Sequence, residues 1–174
     1  LPQGVQGPPY VAFEDGMLVG NPAELKVWEA GDYGHSKILK TGFGSPDWDS
    51  SEVGPRLTKK ALGFLDQHAK QNQQSGNRRP FFMHYCSESC HVPHTPPAEL
   101  DGTKIRGTAG DSHLDMLVEA DVTLGKIMQR LREIGELENT LILFTSDNGG
   151  LSRGKLTMAR QHVESDRACG ARGN

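Results

Sequence analysis

Asp147 and Asn148 stand side by side between a run of apolar residues and two glycines. A carboxylate and an amide offer the hard oxygen ligands that divalent cations such as Ca²⁺ bind, and the glycines let the backbone turn sharply. The same residue types also make ordinary Asx turns. The pair is therefore about equally consistent with a cation site and with a plain turn.

A second chemically active stretch, residues 86–97, combines two cysteines, two histidines and three prolines. A histidine in a proline-stiffened loop can donate a hydrogen bond to an anionic oxygen or move a proton near neutral pH. The cysteines and histidines are also possible zinc ligands, although they lack the long separation between ligand pairs of structural zinc sites. The stretch thus indicates an imidazole that acts on an anion or ordinary surface packing, and zinc is the weakest interpretation. The zinc candidates are Cys86, Cys90, His91 and His94.

Other charged residues have mainly structural interpretations. Asp121 falls on the apolar stripe of a predicted helix, where a carboxylate usually needs a partner, so we predict that it ties this helix to a loop. Basic residues follow the Asp-Asn pair, and an anionic substrate could use one of them, but solvated loop charges are the simpler interpretation. They are Arg153, Lys155, Arg160, Arg167 and Arg172.

The elements that must position these residues follow from turn and capping signals. Asp15-Gly16 lies between two short apolar runs and predicts a type I′ hairpin turn. Asp49 and Glu52 have the spacing of a capping box at the start of a helix. Asp111 is the predicted N-cap of a second, longer amphipathic helix that ends at Gly135. The predicted apolar stripe of this helix consists of Leu114, Leu117, Val118, Leu124, Met128, Leu131 and Ile134.

Two short apolar runs, residues 81–86 and 140–145, flank this second helix and are predicted to be buried strands. Strand, helix, strand is a βαβ unit with a right-handed crossover in nearly all cases, so the strands are expected to be parallel in one sheet. The predicted fold class is therefore α/β with covered sheet faces. Both chemically active stretches would then follow the strand ends at which open α/β sheets bind ligands.

Composition and charge limit the classes of function. The chain has 174 residues, a formal net charge of −3 and no basic run, so nothing favours binding to nucleic acid. No apolar stretch approaches the roughly 20 residues that a membrane helix requires. Three cysteines cannot all pair with one another and suggest no disulfide framework. The start Leu-Pro-Gln indicates a removed leader or a natural N-terminus elsewhere.

Several of these motifs resemble the second half of the catalytic domain of type I sulfatases, which belong to the alkaline phosphatase superfamily. The resemblance covers about residues 80–150 and implies a partial catalytic domain with a mostly parallel central sheet covered by helices. Residues 1–50 would form a loop and hairpin region, 51–150 a helix-strand-helix-strand core, and 151–174 a truncated tail loop. The matching segments are Pro80-Phe-Phe-Met-His-Tyr85, His91-x-Pro93, Val118-Glu-Ala-Asp121 and Asn139-Thr-Leu-Ile-Leu-Phe-Thr-Ser-Asp-Asn-Gly-Gly150.

The resemblance implies roles for three residues. Asp147 and Asn148 match two calcium ligands of the family, and His91 matches the histidine that contacts the sulfate ester or its leaving oxygen. In these enzymes a formylglycine hydrate bound to calcium attacks sulfur. None of the three cysteines begins the Cys/Ser-x-Pro/Ala-x-Arg motif from which formylglycine is made.

We therefore expect a sulfate ester hydrolase whose nucleophile and remaining Ca²⁺ ligands lie outside this segment, and an isolated chain that is inactive. The expected partners are a sulfated carbohydrate or aryl sulfate and the rest of the catalytic domain, without nucleic acid or a membrane span. The resemblance also implies an exported protein, periplasmic or secreted. Two alternatives stay open, a phosphoesterase of the same superfamily and a non-catalytic metal-binding module built on residues 86–94.

Overall fold

The computed structural model describes residues 4–148, and the chain divides into two compact units with the boundary between residues 138 and 139. The first unit contains every helix and strand named below, and the second begins at Asn139. The strands are β1 (Phe13–Glu14), β2 (Met17–Leu18), β3 (Lys26–Trp28), β4 (Gly31–Tyr33), β5 (Ser36–Ile38), β6 (Gly42–Gly44), β7 (Glu99–Leu100) and β8 (Thr103–Lys104), and the helices are α1 (Val53–Ser75) and α2 (Ser112–Glu133).

The strands of the described residues form small antiparallel pairs, in the combinations β1–β2, β3–β6, β4–β5 and β7–β8. At the first of these turns Asp15 and Gly16 have φ values of 51° and 78°, as a type I′ turn requires. The predicted hairpin is therefore confirmed. Its paired strands are shorter than the apolar runs around it.

A buried tyrosine holds the hairpin region together. Tyr10 is fully buried, and its hydroxyl donates to the Lys40 carbonyl at 2.7 Å and accepts from the Lys40 amide at 3.1 Å. The backbone amide of Ser50 donates to Ser36 Oγ at 2.9 Å, which joins β5 to the turn that precedes α1. Two separate hydrogen-bonded contacts thus fix this region, one between Tyr10 and Lys40, which follows β5, and one between β5 and the turn before α1.

Both predicted helices are confirmed. The predicted capping box of Asp49 and Glu52 is not seen among the described residues: the Asp49 side chain accepts from the Ser51 amide of a short 3₁₀ turn, and Glu52, which precedes α1, makes no side-chain capping bond. Gly76, with φ 65°, follows the last residue of α1. Asp111 caps α2 by accepting from the Leu114 amide at 2.8 Å. Within the described residues, neither of these helices is long and apolar enough to cross a membrane.

The buried face of α2 differs from the predicted apolar stripe. Leu114 and Leu117, which were placed on that stripe, are 40% and 47% exposed. Polar side chains occupy much of the face that packs against α1. Hydroxyl and carboxyl groups of α1, of α2 and of the segment of residues 85–88 lie close together there. The buried residues of α2 are Asp115, Met116, Glu119, Thr123, Ile127 and Leu131.

The predicted parallel sheet does not form among the described residues. Residues 81–86 and 140–145 belong to no strand pair, and Phe82, Leu141 and Leu143 are more than 80% exposed. A strand becomes stable only when neighbouring strands take up its N–H and C=O groups, and no described segment does so for these two runs. The fold is α/β in the coarse sense of two helices with small antiparallel sheets.

Candidate functional site

The loop of residues 86–97 lies between α1 and α2 in the chain and carries both predicted histidines. Its prolines Pro93, Pro96 and Pro97 are buried, so the loop is anchored by apolar contacts although its polar tip reaches solvent. The His91 amide donates to the Glu88 carbonyl at 3.0 Å and closes a tight turn. These contacts fix the backbone from which the imidazoles project.

His91, the predicted substrate-contacting residue, is exposed at this turn. Its Nδ1 lies 2.8 Å from the Val92 carbonyl oxygen, a distance at which Nδ1–H donates to that oxygen. The ring is thereby oriented by its own backbone, and Nε2 remains for another partner. The position permits the predicted contact with an anionic oxygen.

His94 is a second imidazole in the loop, and the only role predicted for it was that of a possible zinc ligand. It is half-buried, and its ring packs edge-on against His113 of α2 with 4.9 Å between centroids. Burial, and then the nearby His113, lower the pKa of His94 below its usual value, which favours the neutral imidazole. The sequence signal for this better-held ring is its place between Pro93 and Pro96.

The cysteines do not join the histidines in a metal centre. The Cys86 thiol is exposed and lies 3.5 Å from Nε2 of His84, whereas Cys90 is half-buried and its pKa is raised by burial and then by the charge of Glu119. Within residues 4–148 no group of three or more histidine, cysteine, aspartate or glutamate side chains could hold a metal ion. The zinc interpretation therefore has no support in the described part of the chain.

Asp147 and Asn148 lie in a bend of the second unit, and both are exposed. Among the described residues neither side chain makes a hydrogen bond or ion pair, so within this part of the chain their oxygens are available to a ligand. These hard oxygen donors suit Ca²⁺, but they supply only two of the roughly 6–8 ligands that this ion takes. The five basic residues predicted after this pair lie outside the described residues.

The predicted tie between Asp121 and a loop is wrong, because Asp121 is exposed. Asp115, which is 3% exposed, makes such a tie instead. Its carboxylate accepts from the amides of Gly107, Thr108 and Ala109 at 2.7, 3.0 and 2.8 Å. Backbone donors thus hold this carboxylate and fix the loop before α2.

One turn further along α2, Glu119 lies beneath the candidate loop and is 2% exposed. Burial, with a further contribution from Glu88, raises its pKa to about 8. Beside it, Thr58 Oγ1 lies 3.1 Å from Thr123 Oγ1 and 3.3 Å from the Tyr85 hydroxyl. Sequence reasoning missed this group, although a spacing of four residues places Glu119 and Thr123 on one helix face.

The amino-acid sequence of this chain is similar to those of known sulfatases. The family model described as Sulfatase matches residues 50–167. An N-acetylgalactosamine-6-O-sulfatase of Bacteroides thetaiotaomicron is 32% identical over 109 residues, which cover 63% of this chain and 19% of that protein. Arylsulfatase A of Homo sapiens is 39% identical over 95 residues, 55% of this chain and 18% of that protein.

A third relative is the N-acetylgalactosamine-6-sulfatase of Mus musculus, 37% identical over 93 residues, which cover 53% of this chain and 16% of that protein. The chain therefore spans less than a fifth of the length of these curated relatives. No solved structure matches the chain.

Proposed function

The chain belongs to the sulfatase family, and we propose that the whole protein of which it is a part hydrolyses sulfate esters. The family match carries this proposal, because it spans α1, the loop of residues 86–97, α2 and the Asp147–Asn148 pair. The names of the relatives include sulfatases of a sulfated amino sugar and of aryl esters. A sulfated carbohydrate or an aryl sulfate is accordingly the proposed substrate class.

His91 is proposed to contact the ester or its leaving oxygen. The bond from Nδ1–H to the Val92 carbonyl would hold the ring while Nε2 meets the substrate. In its protonated form the imidazole can donate through Nε2–H to the alkoxide that forms as the S–O bond breaks. His91 would then act as a general acid whose orientation is set by its own loop.

Asp147 and Asn148 are proposed as two of the ligands of a Ca²⁺ ion. Their exposure and their lack of a partner among residues 4–148 support this assignment, and the remaining ligands would come from outside the described residues. When bound, the ion would supply positive charge next to the sulfate oxygens. The formylglycine nucleophile is likewise proposed to come from outside this chain, and an exported location is proposed from the family resemblance.

An assay of the whole protein with an aryl sulfate and Ca²⁺ tests the function. We expect turnover that falls by about 100-fold or more in His91→Ala, because general acid catalysis contributes factors of this size. His84→Ala is the matched control, since His84 is also exposed and precedes the loop. Faster hydrolysis of the corresponding aryl phosphate would instead indicate a phosphoesterase.

The isolated 174-residue chain is expected to be inactive in the same assay. It offers two calcium ligands and none of its cysteines begins the formylglycine motif. Clear turnover by the purified chain, enhanced by Ca²⁺, would contradict the proposal that the nucleophile lies elsewhere.

A further inference from the structure

Two carboxyl groups from different segments meet over Gly54 at the start of α1. A Cβ atom added at this glycine would lie 2.8 Å from Glu119 Cδ, closer still to Glu119 Oε1, and 2.9 Å from Glu88 Oε1. One carboxyl comes from α2 and the other from the turn that carries His91. The absence of a side chain at Gly54 is what gives both groups room.

Neither carboxyl has a cationic partner among the described residues, and the hydrogen bond that Glu88 accepts from its own backbone lowers its pKa less than burial raises it. Glu119 Oε1 and Glu88 Oε2 are buried without a hydrogen-bond partner, and no ion pair among the described residues involves either group. An unpaired buried carboxylate is costly, and two such charges at close range add repulsion. A proton bound to the pair removes both costs.

Within residues 4–148, no positively charged side chain is paired with either carboxyl. The segment of residues 85–91 contributes the Tyr85 hydroxyl and the Cys90 thiol. Burial raises the pKa of Tyr85, against a smaller lowering by its hydrogen bond with Thr58, and burial and then the charge of Glu119 raise the pKa of Cys90. From the helices come the neutral hydroxyls of Thr58 and Thr123. Neutral surroundings of this kind favour a protonated carboxyl over an ionised one.

We propose that Glu88 and Glu119 share one proton across the α1–α2 contact, and that this proton keeps the turn bearing His91 seated on the two helices. Glu88 is the link, because its carbonyl accepts the His91 amide at 3.0 Å. Loss of the proton leaves two buried negative charges face to face and drives the turn outward. The two glutamates are positioning residues, and the effect on turnover rests on the proposed sulfate ester hydrolysis.

The direction of the pH dependence follows from the raised pKa values of both groups. Burial raises the pKa of Glu88, and the pKa of Glu119 is raised from 4.5 to about 8. A group whose folded-state pKa is raised stabilises the fold fully below its unfolded-state value, and this stabilisation is lost as the pH rises through the folded-state value. The seated turn is therefore stable in acid and weakens between about pH 5 and about pH 8.

Thermal unfolding of the 174-residue chain across this pH range tests the proposal. We expect the melting temperature of the wild type to fall as the pH rises, whereas Glu119→Gln, a neutral isostere that can donate to Glu88, stays nearly constant. Glu88→Gln should reduce the slope, because it removes the Glu88 charge that contributes to the raised pKa of Glu119, and it serves as a second variant if the first folds poorly. Asp121→Asn is the matched control, because Asp121 is an exposed carboxylate of the same helix and should leave the slope unchanged.

Two outcomes would overturn the shared proton. One is a wild-type slope that persists in both glutamine variants. The other is a rise in melting temperature when CaCl₂ or ZnCl₂ alone is added to the wild type above about pH 8, absent in Glu119→Gln, since the pair would then hold a cation.

Activity of the whole protein separates this inference from the proposed function. In Glu119→Gln the alkaline limb of kcat/KM should move upward by about one pH unit or more, with its value in acid unchanged. An alkaline limb that does not move would contradict the positioning role. Absence of sulfatase activity in the wild type would refute the proposed function, while the unfolding profiles would still decide the shared proton.

Discussion

Two buried carboxyl groups lie one turn apart on α2 and are accommodated in opposite ways. Asp115 is 3% exposed and accepts three backbone amides, whereas Glu119 is 2% exposed and faces another carboxyl. The first group is stabilised by donors that the chain fixes next to it, and the second can be neutral only by keeping a proton. Burial alone therefore does not determine what an acidic side chain does, because its neighbours decide between a structural anchor and a proton-binding group.

The largest predicted effect on stability is that of replacing Asp115, the carboxyl held by backbone amides. Asp115→Ala leaves three amides of residues 107–109 without their acceptor, and we expect the free energy of unfolding to fall by about 3–5 kcal/mol. Urea unfolding at neutral pH measures this loss. Asp121→Ala, on the exposed side of the same helix, should change the free energy by less than about 0.5 kcal/mol. A loss below about 1 kcal/mol for Asp115→Ala would remove the contrast between the two carboxyls.

An intermediate effect on stability is predicted for Gly54, where Glu119 packs against α1. Gly54→Ala places a methyl group against Glu119 and Glu88, and we expect a loss of about 1–3 kcal/mol from overpacking. Gly63→Ala is the matched control, because a Cβ there meets nothing within 4 Å. It should stabilise α1 by up to about 1 kcal/mol, since alanine is the better helix former. Equal effects of the two substitutions would show that the carboxyls do not converge on Gly54.

The smallest effect on stability is predicted for Thr58, whose hydroxyl lies beside the Glu88–Glu119 pair. Thr58→Val keeps the shape of the side chain but removes the hydrogen bonds to Thr123 and Tyr85, and we expect a loss of about 1 kcal/mol. Thr58→Ser retains the hydroxyl and separates the hydrogen bonds from the packing of the methyl group. If the valine variant is the more stable of the two, the hydroxyls do not contribute to the contact.

Local features of the fold could be predicted from the sequence, because they depend on neighbouring residues. The Asp15-Gly16 turn needs two positive φ values, Asp49 caps the 3₁₀ turn before α1 through the Ser51 amide, and Asp111 caps α2 through the Leu114 amide. The two apolar runs at 81–86 and 140–145 were expected to be buried strands, but burial of a strand depends on partners elsewhere in the fold. Apolar character predicts the need for such partners and does not supply them.

The candidate site was predictable by residue type but not by environment. The pattern predicted His91, Asp147 and Asn148, and their roles stay predictions. It assigned the structural tie to Asp121, because the apolar stripe of α2 was placed over Leu114 and Leu117, which are exposed. A stripe of polar residues facing α1 cannot be recognised from hydrophobicity, since its burial is made possible by hydroxyls and backbone amides contributed by other segments.

The protonation state of Glu119 at neutral pH is the most direct test of the contrast between Asp115, held by backbone amides, and Glu119, held by a proton. In ¹³C NMR spectra of the side-chain carboxyls, we expect the Glu119 signal to be that of a protonated acid and to titrate with a midpoint of about 8. Glu88→Gln should lower that midpoint, because it removes the neighbouring negative charge. A Glu119 signal that titrates near the ordinary value of 4.5, with no change in Glu88→Gln, would contradict the shared proton.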